Sequence, residues 1–266
     1  MQKITLSSLI IACVLALSGC VNADRQPAPQ AAQQILKLRG YEFDEKSFFA
    51  AAQARDVMAI NAFIDAGINP NAQDGDGRTV LISAAARGDL QTVNALLSRG
   101  VDPNVKDKRG YTAMSHAIEA MYEDVVDALL NRPGLDPNSR GLNGRPALMA
   151  FVWRDNKDRV EKLLAHGADV NAQDNDGDTA LHGAGQTGNV EIIRMLLDKG
   201  ANPNAKNKLG GTPLMWAAVH GQQEAARLLL SRGADASLKD NDGITAADWA
   251  ARNKRENVVQ LLRGRR

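Results

Sequence analysis

Gly210-Gly211-Thr212-Pro213-Leu214-Met215-Trp216-Ala217-Ala218 decides the fold, because its frame returns along the chain at a fixed distance. Gly77, Gly110, Gly144, Gly177, Gly210 and Gly243 stand 33, 34, 33, 33 and 33 residues apart. Two residues after five of them comes a threonine: Thr79, Thr112, Thr179, Thr212 and Thr245. Pro146 takes that place in the third unit. Gly67, Gly100, Gly167, Gly200 and Gly233 form a second series that closes the units, and Asn71, Asn104, Asn138, Asn171 and Asn204 each stand four residues past the local glycine. A unit this short cannot bury its own apolar face, so units must stack to make a core.

The content of each unit agrees with stacked helix pairs. The threonine hydroxyl can cap the first free amides of a helix. A short Ala-rich helix follows, as in Val80–Arg87, whose small side chains allow close approach. Gly88, Gly188 and Gly221 end this helix in the left-handed conformation that glycine tolerates best. The second helix, as in Leu90–Ser98, places Leu90, Val93, Leu96 and Leu97 at helical spacing. Another glycine stops it, and an Asp/Asn-Pro-Asn run leads into a polar turn expected to project as a finger.

The period, with Thr212-Pro213-Leu214-Met215-Trp216-Ala217-Ala218 and Thr179-Ala180-Leu181-His182-Gly183-Ala184 as its fullest copies, resembles the ankyrin repeat. The resemblance runs from about Phe43 to Arg263 and implies an all-α repeat solenoid of about seven helix-turn-helix units with finger turns. The first unit, about Phe43–Asp74, is degenerate, and Tyr41, Phe43, Phe48 and Phe49 mark it as a terminal cap. The last, Gly243–Arg263, ends in Arg263-Gly264-Arg265-Arg266, a basic end suited to an outer cap. His182 falls in the family's histidine slot, where the resemblance implies a structural hydrogen bond.

The first residues read as an address. Lys3 precedes Ile4–Leu17, a run without charge that is too short to span a bilayer of about 30 Å. It ends in Leu17-Ser18-Gly19-Cys20, which resembles the lipobox of bacterial lipoproteins. That resemblance implies cleavage after residue 19, lipidation of Cys20 and, with Val21 rather than Asp next, an outer-membrane anchor facing the periplasm. The expected organisation is therefore a signal peptide over 1–19, an acylated cysteine and flexible tether over 20–42, and a repeat domain over 43–266. The tether reading rests on a polar stretch with Pro27 and Pro29 and no large apolar residue between Val21 and Ile35.

Composition excludes several classes. The 32 Lys and Arg against 31 Asp and Glu leave a net charge of +1, without the basic excess of a nucleic-acid binder. Two cysteines, one of them in the leader, leave no disulfide framework. His116, His166, His182 and His220 have no metal-ligand spacing. Gly183-Ala184-Gly185-Gln186-Thr187-Gly188 has the letters of a dinucleotide loop, yet it lies inside a repeat helix instead of following a strand. Asp174-Asn175-Asp176-Gly177-Asp178 resembles part of a calcium loop, but Thr179 and Gly185 stand where that loop needs a turn glycine and a bidentate acid. No catalytic residue, metal site or cofactor is expected.

The family resemblance implies a protein partner held by finger tips and by two variable residues at the end of each first helix. The middle units depart most from the repeat: Met121 and Asp155 replace the helix-ending glycine, a residue is inserted near Arg132-Pro133-Gly134, and Pro146 replaces the threonine. Tyr111, Tyr122, Trp153 and Arg154, with Lys108 and Arg109 of the basic run Lys106–Arg109, are the candidate partner-binding residues, since Tyr, Trp and Arg dominate interface energetics. The same residues could instead repack an irregular joint, and both readings stand at this point. Trp216 and Trp249, 33 residues apart, are expected to pack between repeats. The expected function is a membrane-anchored scaffold or accessory factor in the cell envelope. An immunity or inhibitor protein against a periplasmic toxin or enzyme is the alternative, and a small-ligand binder or enzyme is the reading of another class.

Overall fold

The computed structural model describes residues 29–264; the leader, Cys20 and residues 21–28 lie outside them. Fifteen α-helices follow one another among the described residues. They are α1 (Pro29–Leu38), α2 (Glu45–Gln53), α3 (Val57–Asp65), α4 (Val80–Ala85), α5 (Leu90–Ser98), α6 (Ala113–Glu119), α7 (Glu123–Leu130), α8 (Ala147–Trp153) and α9 (Lys157–Ala165). The series continues with α10 (Ala180–Thr187), α11 (Val190–Asp198), α12 (Pro213–His220), α13 (Gln223–Ser231), α14 (Ala246–Arg252) and α15 (Glu256–Arg263). From α2 onward they form seven pairs. First helices pack on first helices and second on second, giving two layers and an all-α repeat solenoid. Among the described residues no helix is long and apolar enough to cross a membrane.

Local chemistry sets the helix starts. Thr79, Thr112, Thr212 and Thr245 accept the backbone N–H of Ile82, Ser115, Met215 and Asp248 at 3.1, 3.2, 3.4 and 3.3 Å. Each such cap contributes about 1 kcal/mol. Asp56, Asp89, Asn156 and Asn189 do the same for second helices. Pro146 offers no side-chain cap to α8, but its extended backbone (φ −61°, ψ 148°) keeps the entry geometry.

The irregular joints are regular in backbone. Met121 and Asp155 take φ of 62° and 55°, the left-handed conformation that Gly88, Gly188 and Gly221 hold at 68°, 79° and 74°. The inserted residue is absorbed after α7, where the guanidinium of Arg132 donates to Leu97 O and Asn104 Nδ2 donates to Gly134 O at 2.7 Å. The fingers close alike on both sides of it: Asp107 N donates to Tyr111 O, Gly141 N to Arg145 O and Asp174 N to Asp178 O.

The periodic asparagines have a tertiary reason. Asn104 Oδ1 accepts from Asp136 N at 2.7 Å, Asn138 Oδ1 from Asp169 N at 2.8 Å, Asn171 Oδ1 from Asn202 N at 2.9 Å, and Asn204 Oδ1 from Asp235 N at 2.8 Å. Each therefore pins the loop of the following repeat. The apolar core runs unbroken from Ala32 to Val259 along the stack.

The expected tether over 20–42 needs correction where it is described. Residues 29–38 form α1, whose Ala32 and Leu36 are buried against α3. Ala32, Ile35 and Leu36 lie at helical spacing, and the open end of the first pair supplies the apolar surface they need. The front cap thus includes α1 as well as the aromatic group. Tyr41, Phe43 and Phe48 gather around Phe63 with ring centroids 6.0, 6.3 and 5.5 Å away.

Candidate functional site: the first-helix and finger face

Four and seven residues past each capping position, side chains share one face of the first helix, because four plus three residues make about two turns. That face looks toward the fingers. From the four-residue position, His116 donates Nε2–H to Asp107 Oδ2 at 2.9 Å, and Trp249 donates Nε1–H to Asp240 Oδ2 at 2.8 Å. Both carboxylates begin a finger and also accept finger amides through Oδ1. Burial pushes each upward. The hydrogen bonds outweigh it and hold Asp107 and Asp240 below the usual carboxylate value.

The aromatic residues of this face are paired with cations. The Arg109 guanidinium lies 4.6 Å from the Tyr111 ring centroid, Arg145 3.8 Å from that of Trp153, and Arg252 5.7 Å from that of Trp249. Such contacts are worth about 0.5–1 kcal/mol when exposed. Tyr111 also meets His116 edge-on at 5.6 Å, and Trp216 stacks flat on His220 at 5.9 Å. His220 is fixed through Nδ1 to Trp216 O at 2.9 Å. Trp249 packs partly against the core, as expected of it. Trp216 instead lies half-buried with its broad side on a histidine.

The six candidate residues do not form one cluster. Lys108, Arg109 and Tyr111 sit together on a finger, with Lys108 Nζ donating to Gly75 O at 2.7 Å. Tyr122 lies at the far end of α6, its ring covering Gly88 of the preceding repeat. Arg154 donates to Ile118 O at 2.8 Å, closing the end of α6 as Arg87 closes α2 through Ala52 O. Trp153 reaches from α8 to Gly183 in α10. Tyr122, Trp153 and Arg154 thus have partners inside the repeat joints. Arg145, the cation on Trp153, holds with Leu142 and Asn143 one of the finger-tip contact positions that the family resemblance implied, though it was not among the six candidates.

Around Gly183 the polar accounting is incomplete. Asp174, 7 % exposed, accepts the amides of Asp176 and Asp178 through Oδ1, while its Oδ2 has no partner. The helix position that supplies His116 and Trp249 in other units is Gly183 here. Trp153 Nε1, which lies over that glycine, is also buried without a partner. Behind this face His182, 1 % exposed, accepts Thr179 N at its Nδ1 (3.0 Å), which makes Nε2–H the donor to Gly211 O at 3.1 Å. Burial holds its pKa below the usual 6.5, and burial also raises that of Asp178. The histidine is structural, as its slot implied. Among the described residues no group of three or more His, Cys, Asp or Glu could hold a metal ion.

The family model described as ankyrin repeats matches three times, over residues 48–141, 133–207 and 201–265. The chain belongs to the ankyrin-repeat family. A putative ankyrin repeat-containing protein of Treponema pallidum (strain Nichols) is 32 % identical over 144 residues, 54 % of this chain and 48 % of that protein, so the match spans about half of the relative. The ankyrin repeat domain of an Acinetobacter baumannii AYE protein is similar with a TM-score of 0.62 and 31 % identity, over 69 % of this chain and 96 % of that one. The ankyrin repeat domain of Bcl-3, a member of the IkappaB protein family, matches at a TM-score of 0.66 and 30 % identity, over 82 % and 97 %. Ankyrin repeats indicate a protein–protein interaction scaffold, and domains of this kind are typically non-enzymatic.

Proposed function

We propose that this chain is a lipid-anchored ankyrin-repeat protein that binds a protein partner in the cell envelope, as a scaffold or accessory factor. The observation that carries the binding reading is the run of aromatic–cation pairs on the first-helix and finger face: Tyr111 with Arg109, Trp153 with Arg145, and Trp249 with Arg252. Aromatic and arginine side chains held half-open and pre-positioned are what interface hot spots require. The anchoring reading rests on Leu17-Ser18-Gly19-Cys20 after an uncharged apolar run. Residues 21–28 would then join Cys20 to α1 across at most about 28 Å, since an extended residue spans about 3.5 Å. The stack would stand close to the membrane with its first repeat nearest.

The test is affinity capture from detergent-solubilised envelopes with the full chain, beside an Arg109→Ala/Trp216→Ala variant and a Cys20→Ser variant. A stoichiometric protein retained by wild type and lost by the face variant supports the reading. Equal retention by the face variant moves the binding surface elsewhere. An unchanged membrane fraction for Cys20→Ser overturns the lipid anchor. A partner that is a secreted toxin or envelope enzyme, inactivated in the complex, turns the scaffold into an inhibitor.

A further inference from the structure

Several cations of the second helices have carboxylate partners, and those of the fingers do not. On the second helices and their ends, Arg99, Lys157, Arg159, Lys162, Arg227 and Arg232 each have a carboxylate within 4 Å: Asp65, Glu191, Glu123 and Asp127, Asp127, Glu224 and Asp198 respectively. Among the described residues no cation of the fingers has one. Lys108 Nζ bonds Gly75 O at 2.7 Å, Arg140 bonds Gly144 O and Gln173 O at 2.7 Å each, and Lys206 Nζ bonds Lys239 O at 2.8 Å. Arg109 and Arg145 lie over rings. Carbonyl oxygens and ring faces orient these cations without neutralising them.

Two of the three acids of the intervening finger turn away from solvent: Asp174 and Asp178 are buried, and Asp178 accepts Asn207 Nδ2 at 2.8 Å. Asp176 stays exposed, with Asn143 Nδ2 donating to it at 2.6 Å. Burial, the largest influence on Asp178, favours its neutral form.

We infer that the finger face is a receptor for an acidic segment of a protein partner, with Lys108, Arg109, Arg140, Arg145, Lys206 and Lys208 meeting its carboxylates. This rests on the protein-binding reading above and names the partner's chemistry. Cations fixed before binding lose little side-chain freedom when a carboxylate arrives, so the attraction is spent on the complex. The adjoining Tyr111 ring offers apolar contact beside the charges. A protein is favoured over a nucleic acid because the basic fingers are interrupted by an acidic one and the whole chain carries only +1, whereas a phosphate backbone needs a continuous basic track.

The test measures fluorescence anisotropy of a labelled polyglutamate peptide with the full chain at low salt. A polylysine peptide and a single-stranded thymidine oligonucleotide of matched charge serve as competing probes. Three double reversals are compared: Lys108→Glu/Arg109→Glu, Lys206→Glu/Lys208→Glu, and Arg194→Glu/Lys199→Glu. The last pair is exposed on α11 and its end, in the other layer, and makes the same change in net charge. The expected result is saturable, salt-sensitive binding of polyglutamate, weakened about tenfold by each finger reversal and about unchanged by the α11 reversal. Equal loss from all three reversals, absence of polyglutamate binding, or tighter binding of polylysine overturns the inference. Tighter binding of the oligonucleotide overturns the partner class. The protein-binding reading fails separately: a partner captured from envelopes and held equally by the finger reversals keeps that reading and removes this one.

Discussion

The indole of Trp153 lies edge-on against Gly183 of the next repeat, so close that a Cβ at Gly183 would collide with Nε1 and Cδ1. The glycine is what admits the tryptophan, and Arg145 lies over the face of the ring, 3.8 Å from its centroid. A similar device recurs about one turn further along at three joints, where Tyr122 covers Gly88, Gln222 covers Gly188 and Arg255 covers Gly221.

Gly183→Ala is therefore expected to destabilise the fold by about 1–3 kcal/mol, the usual cost of overpacking, although alanine is the better helix former. Adding Trp153→Ala should recover most of that loss. Urea denaturation of the two single variants and the double variant measures the coupling. Additive effects would mean that the two residues do not share this contact.

Met121 holds a left-handed backbone at φ 62° while 69 % exposed. Nothing in its side chain compensates the strain, so Met121→Gly should stabilise by about 0.5–1 kcal/mol. Asp155 differs, because it accepts Asn189 Nδ2 at 2.6 Å. Asp155→Gly should gain less or nothing. Thermal or urea midpoints rank the two variants.

Asn171 holds two loops, accepting Asn202 N at 2.9 Å and donating to Gly200 O at 3.1 Å. Asn171→Ala should cost about 1–3 kcal/mol for the two bonds. Its signature should be regional, with hydrogen exchange accelerating in the flanking repeats first, because each repeat is held only by its neighbours.

His182 ties stability to pH. Its folded pKa is depressed by burial below 6.5, so the unfolded chain takes up a proton at a pH where the folded chain does not. This contribution is present above the unfolded value and is lost as pH falls through the folded one. Urea midpoints should decline as pH falls through the usual histidine value and below it, and His182→Gln should flatten that decline while lowering stability throughout.

The period was readable because one backbone conformation is reused. Gly77 to Gly243, the capping threonines and the asparagine series each answer a local demand that recurs in every unit. Met121 and Asp155 looked like breaks in the sequence and are not breaks in the backbone, since a side chain can occupy the left-handed region at modest cost. The segment read as a tether shows the limit of composition. Polar residues and Pro29 disguised α1, whose Ala32 and Leu36 gain burial only from the uncovered face of α3.

The binding residues were legible as types and not as a group. Tyr111, Tyr122, Trp153 and Arg154 stood out as aromatic and arginine residues, but sequence spacing says nothing about what each one touches. Tertiary structure sent Arg154 to Ile118 O and Trp153 to Gly183, and set Arg109 on Tyr111. By itself the sequence determined the repeat, its number of units and its helix starts, because these follow from interactions within about one repeat length. Only the stacked structure decided which cations are neutralised and which stay free, since that depends on the acids that adjacent repeats bring within reach.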